Sequence, residues 1–179
     1  TNSREFYSAE RLSRGHQRLA HAVAEPFTIG VEEWRADAVE ANSVKLTAGT
    51  DQMEIDLTLQ GLDRIVLQGD RGFDPRGPER GNASHYYSAP SLVATGTISV
   101  GGAEEIVVSG GAWLDREWGT SALSEGVLGW DWFALQLEDG RDLMYYRLRQ
   151  SDGGTSPFSG GSIVDEKGGR HRLGAEDVI

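Results

Sequence analysis

The runs Gly110-Gly111-Ala112-Trp113-Leu114-Asp115-Arg116-Glu117-Trp118-Gly119-Thr120 and Gly129-Trp130-Asp131-Trp132-Phe133 together carry three carboxylates, an arginine and four tryptophans. Surface strands favour Thr and Lys and core strands favour Val, Ile and Leu, so this mixture points to something large and apolar held beside charge. With strand alternation, Trp113, Asp115 and Glu117 share one face and Leu114, Arg116 and Trp118 the other. A buried carboxylate is costly unless paired. Asp115 and Glu117 therefore either tie strands together through an arginine such as Arg71 or Arg14, or act as desolvated proton donors to a polyene or carbonyl. In the second case the π face of Trp118 or Trp132 would stabilise developing positive charge.

Other chemistries find less support. The chain has no cysteine, which removes disulfides, thiolate nucleophiles and cysteine zinc sites. Its four histidines, His16, His21, His85 and His171, lack the spacing of a zinc helix, and no metal site is expected. His85, before Tyr86-Tyr87, either lines a pocket or is a hydrogen-bonded structural residue. There is no Gly-x-Ser-x-Gly elbow and no Gly-x-Gly-x-x-Gly or Walker-type loop, so neither a serine nucleophile nor a nucleotide cofactor is expected. Asn82-Ala83-Ser84 fits a glycosylation sequon that also arises by chance. A net charge of -11 and a pI near 4.7 oppose nucleic-acid binding.

The elements that must hold these residues read as β. Among 179 residues there are 24 glycines and 5 prolines, a balance suited to short strands and tight turns, and the length suits one domain. Phe27 to Trp34, Val44 to Ala48, Met53 to Leu59, Tyr86 to Tyr87, Gly96 to Val100 and Glu105 to Ser109 are expected strands, with Gly101-Gly102 a hairpin turn. Arg4 to Ala24 reads as an irregular edge with a short helical turn. Gln68 to Asn82, rich in Gly, Pro and Arg, reads as a long functional or mobile loop whose Asp70 and Arg71 could salt-bridge a neighbouring strand. No apolar stretch reaches the roughly 18 to 20 residues of a membrane span. The chain begins Thr1-Asn2-Ser3, so a signal peptide is expected to be removed or never present, and the chain is expected to be soluble with its compartment open.

Asp139-Gly140 lies between two apolar runs and predicts a two-residue hairpin turn. That register sets Trp132 opposite Arg147, Phe133 opposite Tyr146 and Ala134 opposite Tyr145. One face then carries Asp131, Phe133, Leu135, Met144, Tyr146 and Leu148; the other carries Trp130, Trp132, Gln136, Tyr145, Arg147 and Arg149. Both faces hold large side chains, as in a barrel wall around a ligand cavity. Trp132 and Arg147 are expected to stack. A final hairpin joins Gly161 to Val164 with His171 to Leu173.

Several blocks in order resemble a known family: Glu10 to Gly15, Gln68 to Gly72, Gly77 to Glu79, Asn82 to Ser84, the Asp-x-Glu-Trp-Gly segment, Gly129 to Phe133 and Gly174 to Asp177. The resemblance is to the lipocalin-like carotenoid 1,2-hydratase and AttH-type hydrolase family. It implies an antiparallel calycin-like β-barrel, with two such domains in tandem in most members. Acid-base work in the hydratases falls on a His and Trp two apart and on a Tyr-x-Asp pair. The matching positions here are Arg116 with Trp118, and Tyr145 with Arg147. Guanidinium cannot shuttle protons near neutral pH, so the two replacements weigh against hydration of an isoprenoid double bond and favour an anionic or carbonyl-bearing ligand.

The resemblance thus implies an enzyme acting on a polyene, isoprenoid or polyketide-like molecule, by acid-base chemistry or by shaping it for cyclisation. The expected catalytic set is Arg116, Trp118, Tyr145, Arg147, Glu117 and Asp131, and the expected ligand contacts are Trp130, Trp132, Gln136, His85 and Tyr87. The rival reading is a non-catalytic carrier of a hydrophobic small molecule. Family members carry opening strands and a second domain beyond the matched blocks, so the chain is expected to be a fragment, or to pair with another chain through an exposed strand edge.

Overall fold

The computed structural model describes residues 7–16, 19–121 and 123–178. Among the described residues every regular element is a β-strand, the strands pair antiparallel, and there is no α-helix. No helix among them is long and apolar enough to cross a membrane. The strands fall into two compact units, Thr1–Leu62 with Val93–Gly111, and Asp63–Leu92 with Ala112–Ile179. They pair into two sheets, and among the described residues no pairing closes a barrel.

The first unit is a meander of β1 (Ala20–Val23), β2 (Thr28–Val31), β3 (Trp34–Glu40), β4 (Ser43–Gly49) and β5 (Met53–Gln60), continued by the 93–100 part of β8 (Ala83–Val100). In β5, the alternation of Met53, Ile55, Leu57 and Leu59 with polar residues reads as a half-buried strand and Leu59 is buried against Val44's side of the sheet. The expected strand from Phe27 to Trp34 is instead broken. Val31 pairs with Trp34 around Glu32-Glu33, and Glu32 turns the chain with a φ of 55°, so Trp34 opens β3. The segment expected to be irregular up to Ala24 contains β1; the rest of that expectation falls partly outside the described residues.

The second unit holds β6 (Val66–Leu67), β7 (Phe73–Pro75), the 83–92 part of β8 and the 112–119 part of β9 (Ile106–Gly119), with β6 and β7 both paired to β8. Its other sheet runs β10 (Val127–Gln136), β11 (Asp142–Gln150), β12 (Gly160–Val164) and β13 (Arg170–Leu173). The core between them is Tyr86, Met144, Tyr146 and Leu148, with Trp113, Val127 and Phe158 packed against it. One chain of buried polar groups is paired between the sheets: Ser162 donates to Gln68 at 2.7 Å, Gln68 to Ser88 at 3.0 Å, and Ser88 to Asp115. Gln136 donates to the Pro90 carbonyl at 2.6 Å and so ties β10 to β8.

The β10–β11 hairpin corrects the expected register. Its loop has three residues, Glu138-Asp139-Gly140: the Leu137 carbonyl accepts from Gly140 N–H at 3.0 Å, and Leu137 N–H donates to Arg141 O at 2.8 Å. Gly140, with a φ of 81°, takes the left-handed position that follows a type I turn in a three-residue loop. The pairs are consequently Asp131 with Arg147, Trp132 with Tyr146, Phe133 with Tyr145 and Ala134 with Met144. One residue of slip exchanges the partner strand's faces. Trp130 and Trp132 now share a face with Tyr146 and Leu148, while Arg147 and Tyr145 lie on the other, and the expected Trp132–Arg147 stack is not formed.

Candidate functional site

The Gln68 to Asn82 stretch is more than a connection. Within it, Phe73–Pro75 pairs with β8, with Asp74 opposite Ser84, and this brings Asp74 and Arg76 against the tyrosines of the core. The exposed side chains of Asp70 and Arg71 lie 3.5 Å from each other, and among the described residues neither makes a salt bridge to a neighbouring strand. Neither Arg71 nor Arg14 meets Glu117; that role belongs to Arg76.

Arg76, Tyr86, Glu117, Trp130, Trp132 and Tyr146 are among the residues that line a cavity of about 350 Å³ in the second unit. Arg76 Nη2 donates to Glu117 Oε1 at 2.6 Å and lies 3.3 Å from Asp74 Oδ2. Its guanidinium carbon sits 3.8 Å from the centre of the Tyr146 ring and 5.5 Å from that of Tyr86, a cation–π stack that aims the nitrogens at the carboxylates. Tyr146 donates its hydroxyl to Asp74 Oδ2 at 3.0 Å. Trp132 donates its indole N–H to the Tyr86 hydroxyl oxygen at 3.1 Å, which leaves the Tyr86 proton free to donate. Trp130 and Trp132 are 58% and 45% exposed, so two indole faces remain open at the cavity.

Burial sets the protonation of this cluster. Asp74 is only 4% exposed, and burial pushes its carboxyl above the usual range against the opposing pull of Arg76 and of the Tyr146 hydrogen bond. Burial, together with Asp115 beside Tyr86 and Asp74 beside Tyr146, pushes both phenols far up, so both hydroxyls stay protonated donors.

The expected residues separate into three groups. Glu117, Trp130 and Trp132 line the cavity. His85, Tyr87 and Trp118 meet on the other face of β8 and β9: Trp118 is stacked on His85 at 5.5 Å, with Tyr87 edge-on at 6.1 Å, and Trp118 is 54% exposed. Arg116 is exposed on the same β9 alternation as Trp118. On the other face of β10 and β11, Asp131 Oδ1 lies 3.6 Å from Arg149, and Arg147 donates to Thr155 at 2.8 Å. Tyr145 is buried there, its hydroxyl without a partner among the described residues and pushed up by burial. Gln136 is spent on backbone carbonyls. The sequon's Asn82 is buried, with its amide donating to Glu79 and Ser124.

Sequence reasoning missed Asp74, Arg76, Tyr86 and Tyr146. The available signal was Phe73-Asp74-Pro75-Arg76, where an acid and a base alternate around a short apolar stretch inside a supposed loop.

Comparison with known proteins fixes the family. A family model described as AttH-like matches residues 1–179. The chain belongs to the AttH-like family. An AttH protein of known structure from Nitrosomonas europaea is similar to it, with a TM-score of 0.76 and 30% identity, over 83% of this chain and 46% of that one. The crystal structure of kievitone hydratase from Nectria haematococca shares the fold, with a TM-score of 0.65 and 16% identity over the same shares. Kievitone hydratase from Fusarium solani subsp. phaseoli is 23% identical over 113 residues, 62% of this chain and 30% of that protein. This AttH-like chain thus spans less than half the length of each of these relatives, and the all-β lipocalin-like architecture that the resemblance implied is the one it shares with the two solved structures.

Proposed function

We propose that this AttH-like chain carries the substrate cavity of a hydratase-like enzyme that adds water to a double bond in a polyene, isoprenoid or polyketide-like molecule. One observation carries the reading: a carboxyl, Glu117, is held by Arg76 at 2.6 Å in a cavity walled by two open indoles. The similarity to kievitone hydratase supports the reaction class.

In the proposed reaction the apolar part of the substrate lies against Trp130 and Trp132, and the Tyr86 hydroxyl orients a polar group on it. Glu117 delivers a proton to one carbon of the double bond, and the indole faces stabilise the positive charge left on the other. Water adds to that carbon and returns a proton to Glu117, so the carboxyl ends as it began. Arg76 favours the delivery step, because it binds the carboxylate left behind more tightly than the acid, and the proton released by the added water then restores the acid. Arg116 and Arg147 take no part in this account, since neither is among the residues lining the cavity.

Incubation of the chain with candidate substrates in ¹⁸O-water, followed by mass spectrometry, tests the reading. A product heavier by one labelled water supports it. Recovery of every candidate unchanged, with binding intact, would make the protein a carrier instead.

A further inference from the structure

Tyr146 is a shared wall. On one side it lines the indole cavity, and on the other it lines a polar cavity of about 490 Å³ together with Asp74, Gly160, Arg172 and Glu176. A Cβ placed on Gly160 would lie 3.8 Å from the Tyr146 hydroxyl, which puts that hydroxyl at the polar side. Asp74 Oδ2 receives the hydroxyl. Asp74 Oδ1 has no hydrogen-bond partner among the described residues, and Asp74 is one of the residues lining the polar cavity.

One nitrogen, Arg76 Nη2, is shared by two carboxyls: it lies 2.6 Å from Glu117 and 3.3 Å from Asp74, and only the first contact is a hydrogen bond. A charged Asp74 competes with Glu117 for that nitrogen; a protonated Asp74 does not. We propose that Asp74 is a positioning residue for the site: whether it carries a proton sets how fully Arg76 commits to Glu117, and the polar cavity is the path by which that proton comes and goes. The inference rests on the reading of Glu117 given above.

The groups facing Asp74 come from every element around it. Arg76 follows it on the chain, Tyr146 faces it from β11, Arg172 from β13 and Glu117 from β9. Arg76, the Tyr146 hydrogen bond and Arg172 favour its charged form, whereas burial and Glu117 favour its neutral form, and burial dominates. The switch therefore lies above the ordinary aspartate range, nearer to working pH. A guanidinium keeps its charge in proteins, so what changes on protonation of Asp74 is which carboxyl the arginine binds.

Side-chain nitrogen NMR of Arg76 across pH reads this directly, because it needs no substrate. In the wild-type chain the Arg76 resonance should show an inflection that tracks the Asp74 carboxyl and persists in Glu117→Gln, separate from any that tracks Glu117, and in Asp74→Asn that inflection should vanish. Tyr146→Phe, which removes a hydrogen bond favouring the charged form, should shift the inflection to higher pH. If Asp74→Asn does not fold, the direction of the Tyr146→Phe shift decides. An Arg76 resonance that ignores Asp74, or a Tyr146→Phe shift to lower pH, overturns the proposal. Where turnover is measurable, Asp74→Asn should flatten the pH profile of kcat and leave KM in place. An Arg76 inflection without turnover on any substrate would sink the hydratase reading and leave the Asp74–Arg76 coupling standing.

Discussion

The guanidinium carbon of Arg76 sits over the ring of Tyr146, 3.8 Å from the ring centre. From that seat one nitrogen, Nη2, lies within ion-pair distance of both Glu117 and Asp74. The position of the candidate acid thus depends on an aromatic ring in the core as much as on charge.

Removal of Arg76 should be costly. Its side chain is 14% exposed and Asp74's is 6%, so Arg76→Ala leaves a buried carboxylate without its cation. The Glu117 half contributes little, because that side chain is 43% exposed and solvent screens it. The expected loss is about 3 kcal/mol in urea unfolding, the lower end for a broken buried pair. A loss below about 1 kcal/mol would show that Asp74 is not held as described.

Trp132 and Tyr86 should prove coupled. Their hydrogen bond of 3.1 Å joins β10 to β8. In a double-mutant cycle with Trp132→Phe and Tyr86→Phe, the expected coupling is about 0.5–1.5 kcal/mol. Additive effects would contradict the contact.

The hairpin register can be checked covalently. Asp131 and Arg147 are directly opposed, so Asp131→Cys with Arg147→Cys should form a disulfide under mild oxidation. Trp132→Cys with Arg147→Cys should not, because those side chains leave opposite faces. The reverse outcome would restore the two-residue turn.

Much of the fold was legible, and the site less so. Alternation in β5 and the Gly101-Gly102 turn reflect local physics that nothing overrides. The β10–β11 hairpin shows the limit: Asp139-Gly140 names a turn but not whether Glu138 joins the loop, and the register that results sets Trp132 opposite Tyr146 and within hydrogen-bond reach of Tyr86, far away in sequence. Glu117, Trp130 and Trp132 stood out because charge and large aromatics are unusual in strands. Asp74 and Arg76 did not, since a Gly- and Pro-rich neighbourhood hides a three-residue strand that forms only against β8. Tyr146 was seen but placed on the wrong face relative to Trp132, by that same one-residue slip.

Asp74 should leave a signature in stability against pH. Its folded carboxyl titrates above the usual 3.8, so its contribution is fully present below that value and is lost as pH rises through the folded value. Asp74→Asn cannot ionise and escapes that loss. The variant should therefore gain stability relative to wild type as pH rises through the window, with the gap smallest in acid. A pH-independent gap, measured by thermal unfolding at a series of pH values, would show that Asp74 is not raised.

The most direct measurement compares wild type with Glu117→Gln for incorporation of ¹⁸O from labelled water into a substrate that the chain turns over, with binding followed in parallel by tryptophan fluorescence. Loss of about 100-fold or more in turnover with binding retained is the predicted result, the scale of a missing acid-base group. Equal incorporation by both proteins would contradict the role assigned to Glu117, and with it the account of the cavity as a hydration site.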